Sequence, residues 1–233
     1  MKPVSKTQKQ DEYKPYDKAK PELLAQLGEH CSYCGRPGNA QDLHVEHIYP
    51  NDPHPELEYK WSNFLVSCNT CNSYKNIHLG KRRQIDLERK YIWPHSDNTF
   101  KAFRYKPTGE IEITVAGPAA LVGAVEATRD MVGLMLSPAK AARYQKLGVA
   151  YDGANKRSQM WGIAEGFRTM YLANPTPANV KTISDGANKL GYFNIWMEVF
   201  HDRVEIRQAL ILAFKADRNC FDANTQPRPK GRL

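Results

Sequence analysis

Two Cys-x2-Cys pairs, Cys31/Cys34 and Cys68/Cys71, constrain this chain more than any other feature. Each pair can present two thiolates from one tight turn, and four thiolates fill the tetrahedral shell of a Zn²⁺ ion. A shell closed by four sulfurs is structural rather than catalytic. The 33 residues between the pairs exceed ordinary zinc-finger spacing, so that interval must hold secondary structure of its own. Leu43 to Ile48 alternates apolar and polar residues, which predicts a strand. Tyr49 to Pro55 contains three prolines and reads as a loop. Asn63 to Ser67 predicts a second short strand, and a helix is expected to begin at Cys71. The segment has few apolar residues, and metal binding contributes about 10 kcal/mol to folding in small zinc modules. The ion is therefore expected to fix the first strand against the helix. Cys220 stands apart and reads as a small buried apolar group.

The disulfide alternative depends on the compartment. No run of 18 uncharged apolar residues occurs, and Met1 to Lys6 lacks the apolar stretch of an export signal. The expectation is a cytoplasmic protein with reduced thiols and no membrane partner. With 41% apolar and 25% charged residues, the 233-residue chain can bury a core and is not of the disordered class. Its net charge of +8 is uneven: residues 1–25 carry +2, 26–72 carry −4, 73–106 carry +6 and 107–233 carry +4. The densest positive stretch follows directly on the cysteine-rich part. There Lys75, Lys81, Arg82, Arg83, Arg89 and Lys90 form a candidate nucleic-acid surface, through salt-sensitive phosphate contacts. A solvated helix face is the plainer alternative. Tyr91, Trp93 and Phe100 suit base stacking or, more simply, a core.

The expected fold class is α+β. Residues 1–25 read as a basic arm or frayed terminus, with a short helix from Lys20 that carries Leu23, Leu24 and Leu27 and ends at Gly28. Residues 26–95 hold the metal-bound module. Residues 96–225 open with a β-hairpin turned at Pro107-Thr108-Gly109, then change to helical periodicity. The stripes Leu121/Val125/Val132/Leu136, Met160/Ile163/Phe167/Met170 and Val204/Leu210/Ile211/Phe214 mark helix faces. Trp161, Trp196 and His201 suit core or interface positions. Residues 226–233 read as a loose basic tail.

The chemistry concentrates in Glu46, His47, Asn63 and Asn72. Adjacent residues of a strand face opposite ways, so Glu46 and His47 divide their tasks. A carboxylate and an amide carbonyl are hard oxygen ligands suited to Mg²⁺ or Mn²⁺. A neutral imidazole is a general base near working pH. Asn76 and His78 lie a turn or more beyond Asn72 and are candidates for outer contacts.

Val45-Glu46-His47-Ile48-x-Pro50, followed by Asn63-x4-Cys68-x2-Cys71-Asn72-x2-Lys75 and preceded by Cys31-x2-Cys34, resembles the HNH (ββα-metal) endonuclease motif in its zinc-holding form. The resemblance covers residues 29–80. It implies metal ligation by Glu46 and Asn72, a general base at His47, and a loop-holding, base-orienting role for Asn63. It also implies phosphodiester hydrolysis that leaves a 5′-phosphate and a 3′-hydroxyl. Glu replaces the commoner Asp, and Asn72 makes this an H-N-N variant.

The opening Met1-Lys2-Pro3-Val4, the placement of the motif, and Ile206-Arg207-x2-Leu210-Ile211-x2-Phe214 with Cys220-Phe221-Asp222 resemble the HNH subunits of Septu-type and retron-associated anti-phage systems. That resemblance implies an SMC/ABC-like ATPase partner, or a retron reverse transcriptase and its RNA–DNA product. DNA is the expected substrate, with RNA or tRNA the alternatives. Two other readings stand beside it: a stand-alone restriction or homing-type nuclease, and a zinc-stabilised nucleic-acid adaptor without chemistry.

Overall fold

The computed structural model describes residues 1–9, 11–80, 86–149 and 152–233. Helix α1 spans Lys20–Leu27, with Pro21 in its first turn and Leu23 and Leu27 buried. Gly28 ends it at φ +83°, in the region that glycine enters freely. Strands β1 (Leu43–His47) and β2 (Phe64–Cys68) form an antiparallel hairpin, with Glu46 opposite Leu65 and His47 opposite Phe64. Helix α2 runs Asn69–Leu79, two residues earlier than expected, so Cys68 caps it and Cys71 sits in its first turn.

The hairpin is packed from both sides. Leu43, Val45 and His47 share one face by the period of two, and α1 and the 3-10 turn at Tyr16–Ala19 pack on β1. Glu46 shares the other face with His44 and meets α2.

After the short α3 (Leu87–Lys90) comes a second hairpin, β3 (Phe103–Tyr105) with β4 (Ile111–Ile113). Its turn is the expected one, with Gly109 at φ +80°. A side chain on Gly109 would collide with the Ala154 carbonyl oxygen, so the glycine lets the turn seat against the next long helix. The rest is helical: α4 (Ala119–Met131), α5 (Pro138–Lys146), α6 (Gly153–Ala173), α7 (Pro177–Leu190), α8 (Phe193–Val199) and α9 (Val204–Ala213). Aromatic side chains fill this half. Trp196 stacks on Phe200 at 6.4 Å and meets Phe167 edge-on, while Phe193 contacts Phe214 and Phe221. No described helix is long and apolar enough to cross a membrane.

Five expectations fail, among them the helix face through Val132 and Leu136, which lie beyond the end of α4. The arm does not extend into solvent. Met1 to Val4 are buried, Val4 donates to the Pro94 carbonyl, and the Lys2 ammonium donates to the carbonyls of Leu27 and Phe214. The tail is not loose either. Arg232 donates its backbone N–H to Asp97, Lys230 pairs with Asp217, and Leu233 is buried. Both errors have one cause: polar composition is a local property, and here lysines are held by carbonyls and carboxylates from distant segments. On α6 the stripe is displaced. Met160 is buried with Ala164 and Tyr171, whereas Ile163 and Met170 are about 40% exposed. The last stripe is also shifted, with Ile206 rather than Val204 facing the core beside Leu210, Ile211 and Phe214. Tyr91 and Trp93 are fully buried and Phe100 packs on the core, in keeping with a packing role.

Candidate active site

The four cysteines come together. Their sulfurs all lie within 4.8 Å of one another, and Cys34 and Cys68 are 3.9 Å apart. A tetrahedral ion with Zn–S bonds of about 2.3 Å sets sulfurs about 3.8 Å apart, so the cluster has the size that such an ion requires. Hydrogen bonding with Cys31 is the largest influence on its three neighbours: it raises the Cys34 and Cys71 thiols well above the usual range and lowers Cys68. A cation stabilises thiolate at every position instead. All four residues are buried, and the set joins the turn after α1 to the β2–α2 junction. It is the one such cluster of His, Cys, Asp and Glu among the described residues.

At the far end of the hairpin, His47 is half-buried. Its Nε2 lies 2.8 Å from the Glu58 carbonyl oxygen. A carbonyl can only accept, so Nε2 carries the proton and Nδ1 carries the lone pair. Burial lowers the His47 pKa, against smaller opposing effects from the Glu58 carbonyl and the Glu46 carboxylate. The ring is therefore neutral at neutral pH, with a defined acceptor nitrogen. Phe64 packs edge-on at 5.2 Å and Tyr16 at 4.7 Å.

Asn63 is buried at the end of a 3-10 turn over Trp61–Asn63. Its Oδ1 accepts from the Tyr49 N–H at 2.8 Å, and its Nδ2 donates to the carbonyls of Tyr49 and Leu57. Its own carbonyl accepts from the Ile48 N–H. One amide thus ties both ends of the loop whose next carbonyl, that of Glu58, holds His47.

Glu46 points to the other face and is 1% exposed. The Lys75 ammonium lies 2.6 Å from its Oε1 and also donates to the His47 carbonyl. Tyr33 donates its hydroxyl to the same Oε1 at 3.2 Å. Lys75 is correspondingly 1% exposed, so its expected role as a phosphate contact is contradicted. The helical register turns it inward, where an unpaired Glu46 carboxylate would be costly. Asn72 is half-buried on α2, and its Oδ1 accepts from Asn76 at 3.0 Å. Arg89 and Lys90 are exposed on α3, available to a polyanion. Lys81, Arg82 and Arg83 lie outside the described residues.

By donor chemistry, the Glu46 carboxylate and the Asn72 carbonyl are hard oxygens of the kind that would suit a divalent cation. Among the described residues, Lys75 and Tyr33 both contact the Glu46 carboxylate at Oε1. Sequence reasoning missed the Glu58 carbonyl, Tyr16, Tyr33 and Lys6. A backbone acceptor has no sequence signature, and the three side chains gain meaning only from distant partners.

Residues 31–77 match the family model described as HNH endonuclease. Over 74 residues the chain is 36% identical to the Septu protein PtuB of Bacillus thuringiensis. That alignment covers 31% of this chain and 28% of the relative, so the chain spans under a third of the curated protein it matches. The residues matched by the family model hold the cysteine cluster, the hairpin and most of α2. Residues 31–77 thus match an HNH endonuclease domain, and the similarity to the Septu protein agrees with that match.

Proposed function

We propose that this HNH domain is a divalent-metal-dependent nuclease in which His47 Nδ1 takes the proton from the attacking water. The observation that carries the reading is the Nε2 contact with the Glu58 carbonyl, which leaves Nδ1 as the acceptor. Asn63 supports it by pinning the loop that supplies that carbonyl. Glu46 and Asn72 would hold the Mg²⁺ or Mn²⁺, which supplies neutralisation of the phosphate and of the leaving 3′-oxygen. His47 removes the water proton, and the products are a 5′-phosphate and a 3′-hydroxyl. The four cysteines hold Zn²⁺ and take no part in bond breaking.

The similarity to a Septu protein supports a role as the nuclease of a defence system; DNA as the substrate and an SMC/ABC-like ATPase as the partner rest on the sequence resemblance. The retron-associated alternative, with its reverse transcriptase, rests on the sequence resemblance alone. The zinc-stabilised adaptor is disfavoured because a binding module needs no imidazole held in one tautomer.

The test is cleavage of plasmid, single-stranded DNA and tRNA with Mg²⁺ or Mn²⁺, with and without a co-expressed ATPase. A general base contributes about 10²–10⁴-fold, so His47→Ala should lose activity by that factor with zinc content and fold retained. Equal cutting by His47→Ala would overturn the assignment. Co-purification with the ATPase decides between the defence-complex and stand-alone readings.

A further inference from the structure

We propose that the N-terminal segment is a strap that completes this site, with Tyr16 as the positioning residue that holds the His47 ring in its working orientation. The inference rests on the nuclease reading for its activity readout, but its geometry stands apart from it. Two of the restraints on His47, the Phe64 edge and the Glu58 carbonyl, come from residues within the family match. The third does not. Tyr16 lies 31 positions upstream, and its ring meets the imidazole at 4.7 Å with an interplanar angle of 76°.

The strap is fastened along the same stretch that builds the site. The Lys6 ammonium donates to the carbonyls of Trp61, Ser62 and Phe64, at 2.6, 3.0 and 2.6 Å, and so brackets Asn63. The Trp61 indole donates to the Thr7 carbonyl at 2.7 Å, and the Tyr13 N–H donates to the Tyr59 carbonyl at 2.9 Å. These bonds join Lys6, Thr7 and Tyr13 to residues 59–64, and the following 3-10 turn, with Tyr16 at its start, packs on β1.

A single hydrogen bond at one nitrogen opens transiently, and a ring without other restraints can then turn away from the Glu58 carbonyl and exchange tautomers. The ring contacts from Tyr16 and Phe64 restrict that turning, and small misplacements of a reacting group cost large factors in rate. The contact with His47 is made by the Tyr16 ring, so the ring alone should suffice. A tyrosine stacked on a nucleic-acid base would instead act on binding.

The experiment compares wild type, Tyr16→Ala and Tyr16→Phe. The His47 imidazole is read by ¹⁵N–¹H correlation spectra, and kcat and KM are read on whichever of plasmid, single-stranded DNA or tRNA the wild type cuts. The expected result is a single Nε2–H tautomer in wild type, a mixture in Tyr16→Ala, and recovery of the single form in Tyr16→Phe. In Tyr16→Ala, kcat should fall about tenfold with KM within a factor of about two, and Tyr16→Phe should restore kcat. An unchanged tautomer in Tyr16→Ala, or a change confined to KM, overturns the proposal. If wild type cuts none of the three nucleic acids, the nuclease reading fails, and the spectra alone still decide whether Tyr16 holds the ring.

Discussion

The cysteine-clamped segment and the helices α6–α9 are held together by different physics. The segment from Cys31 to Leu79 adds to its buried apolar residues a set of polar contacts of defined geometry: four converging sulfurs, a buried Glu46–Lys75 pair and an amide that ties a loop. The helices rely on apolar area, with Trp196, Phe193 and Phe200 fully buried at their centre. His30 joins the two, its Nε2 against the Asn188 carbonyl at the end of α7 and its ring 4.8 Å from Phe214. The difference gives a reason for the placement of the proposed catalytic groups. Specific polar contacts orient a nitrogen or an oxygen, and apolar packing supplies bulk stability without orienting anything.

The strongest way to break this comparison is to remove the clamp. Zinc chelation or Cys71→Ala should withdraw about 10 kcal/mol of local folding free energy. Hydrogen exchange should show protection lost first over residues 31–79, with α6–α9 still protected; simultaneous loss in both regions would show that they are one unit.

Next come two substitutions of similar cost and opposite repair. Lys75→Met leaves the Glu46 carboxylate buried and unpaired and should cost about 3–5 kcal/mol in urea unfolding. Adding Glu46→Gln should recover much of that loss. Trp196→Ala should cost about 3–5 kcal/mol through a cavity, and no polar change elsewhere should recover it.

Acidification tests the junction. Burial, with a smaller effect from Lys2, lowers the His30 pKa to about 4, and burial does the same for His95. Both are neutral in the fold and bind a proton more readily once unfolded. Their stabilisation is therefore complete above pH about 6.5 and is lost as pH falls towards 4. For His30 the loss amounts to about 3 kcal/mol. Unfolding followed between those limits should take up protons, and His30→Gln should flatten the dependence.

The smallest effect on stability is expected from Asn63→Ala, about 2 kcal/mol. Activity should fall more steeply than stability, because the loop before the Glu58 carbonyl is no longer tied. Kinetics beside a denaturation curve would separate the two.

The sequence was legible where short spacings decide the outcome. Two residues between cysteines make a knuckle, and a period of two sends Glu46 and His47 to opposite faces, as the structure shows. Pro107-Thr108-Gly109 turns a hairpin by its own dihedral preferences. It was illegible where a residue's role depends on what lies across the fold. Lys75 has the composition of a phosphate contact and the register of a buried partner. The basic opening residues look like an arm until the carbonyls that receive Lys2 and Lys6 are in place.

The chain's own order of residues thus determined the metal knuckles, the strand that separates carboxylate from imidazole, and the helical character of the second half. These depend on covalent spacing and local dihedral preference, which act within a few residues. Only the tertiary structure decided that Lys75 turns inward, that Glu58 lends its carbonyl to His47, and that Tyr16 reaches the imidazole. Each of those contacts joins segments that meet only after the chain has closed on itself, so their energies exist in the fold and nowhere in the local sequence.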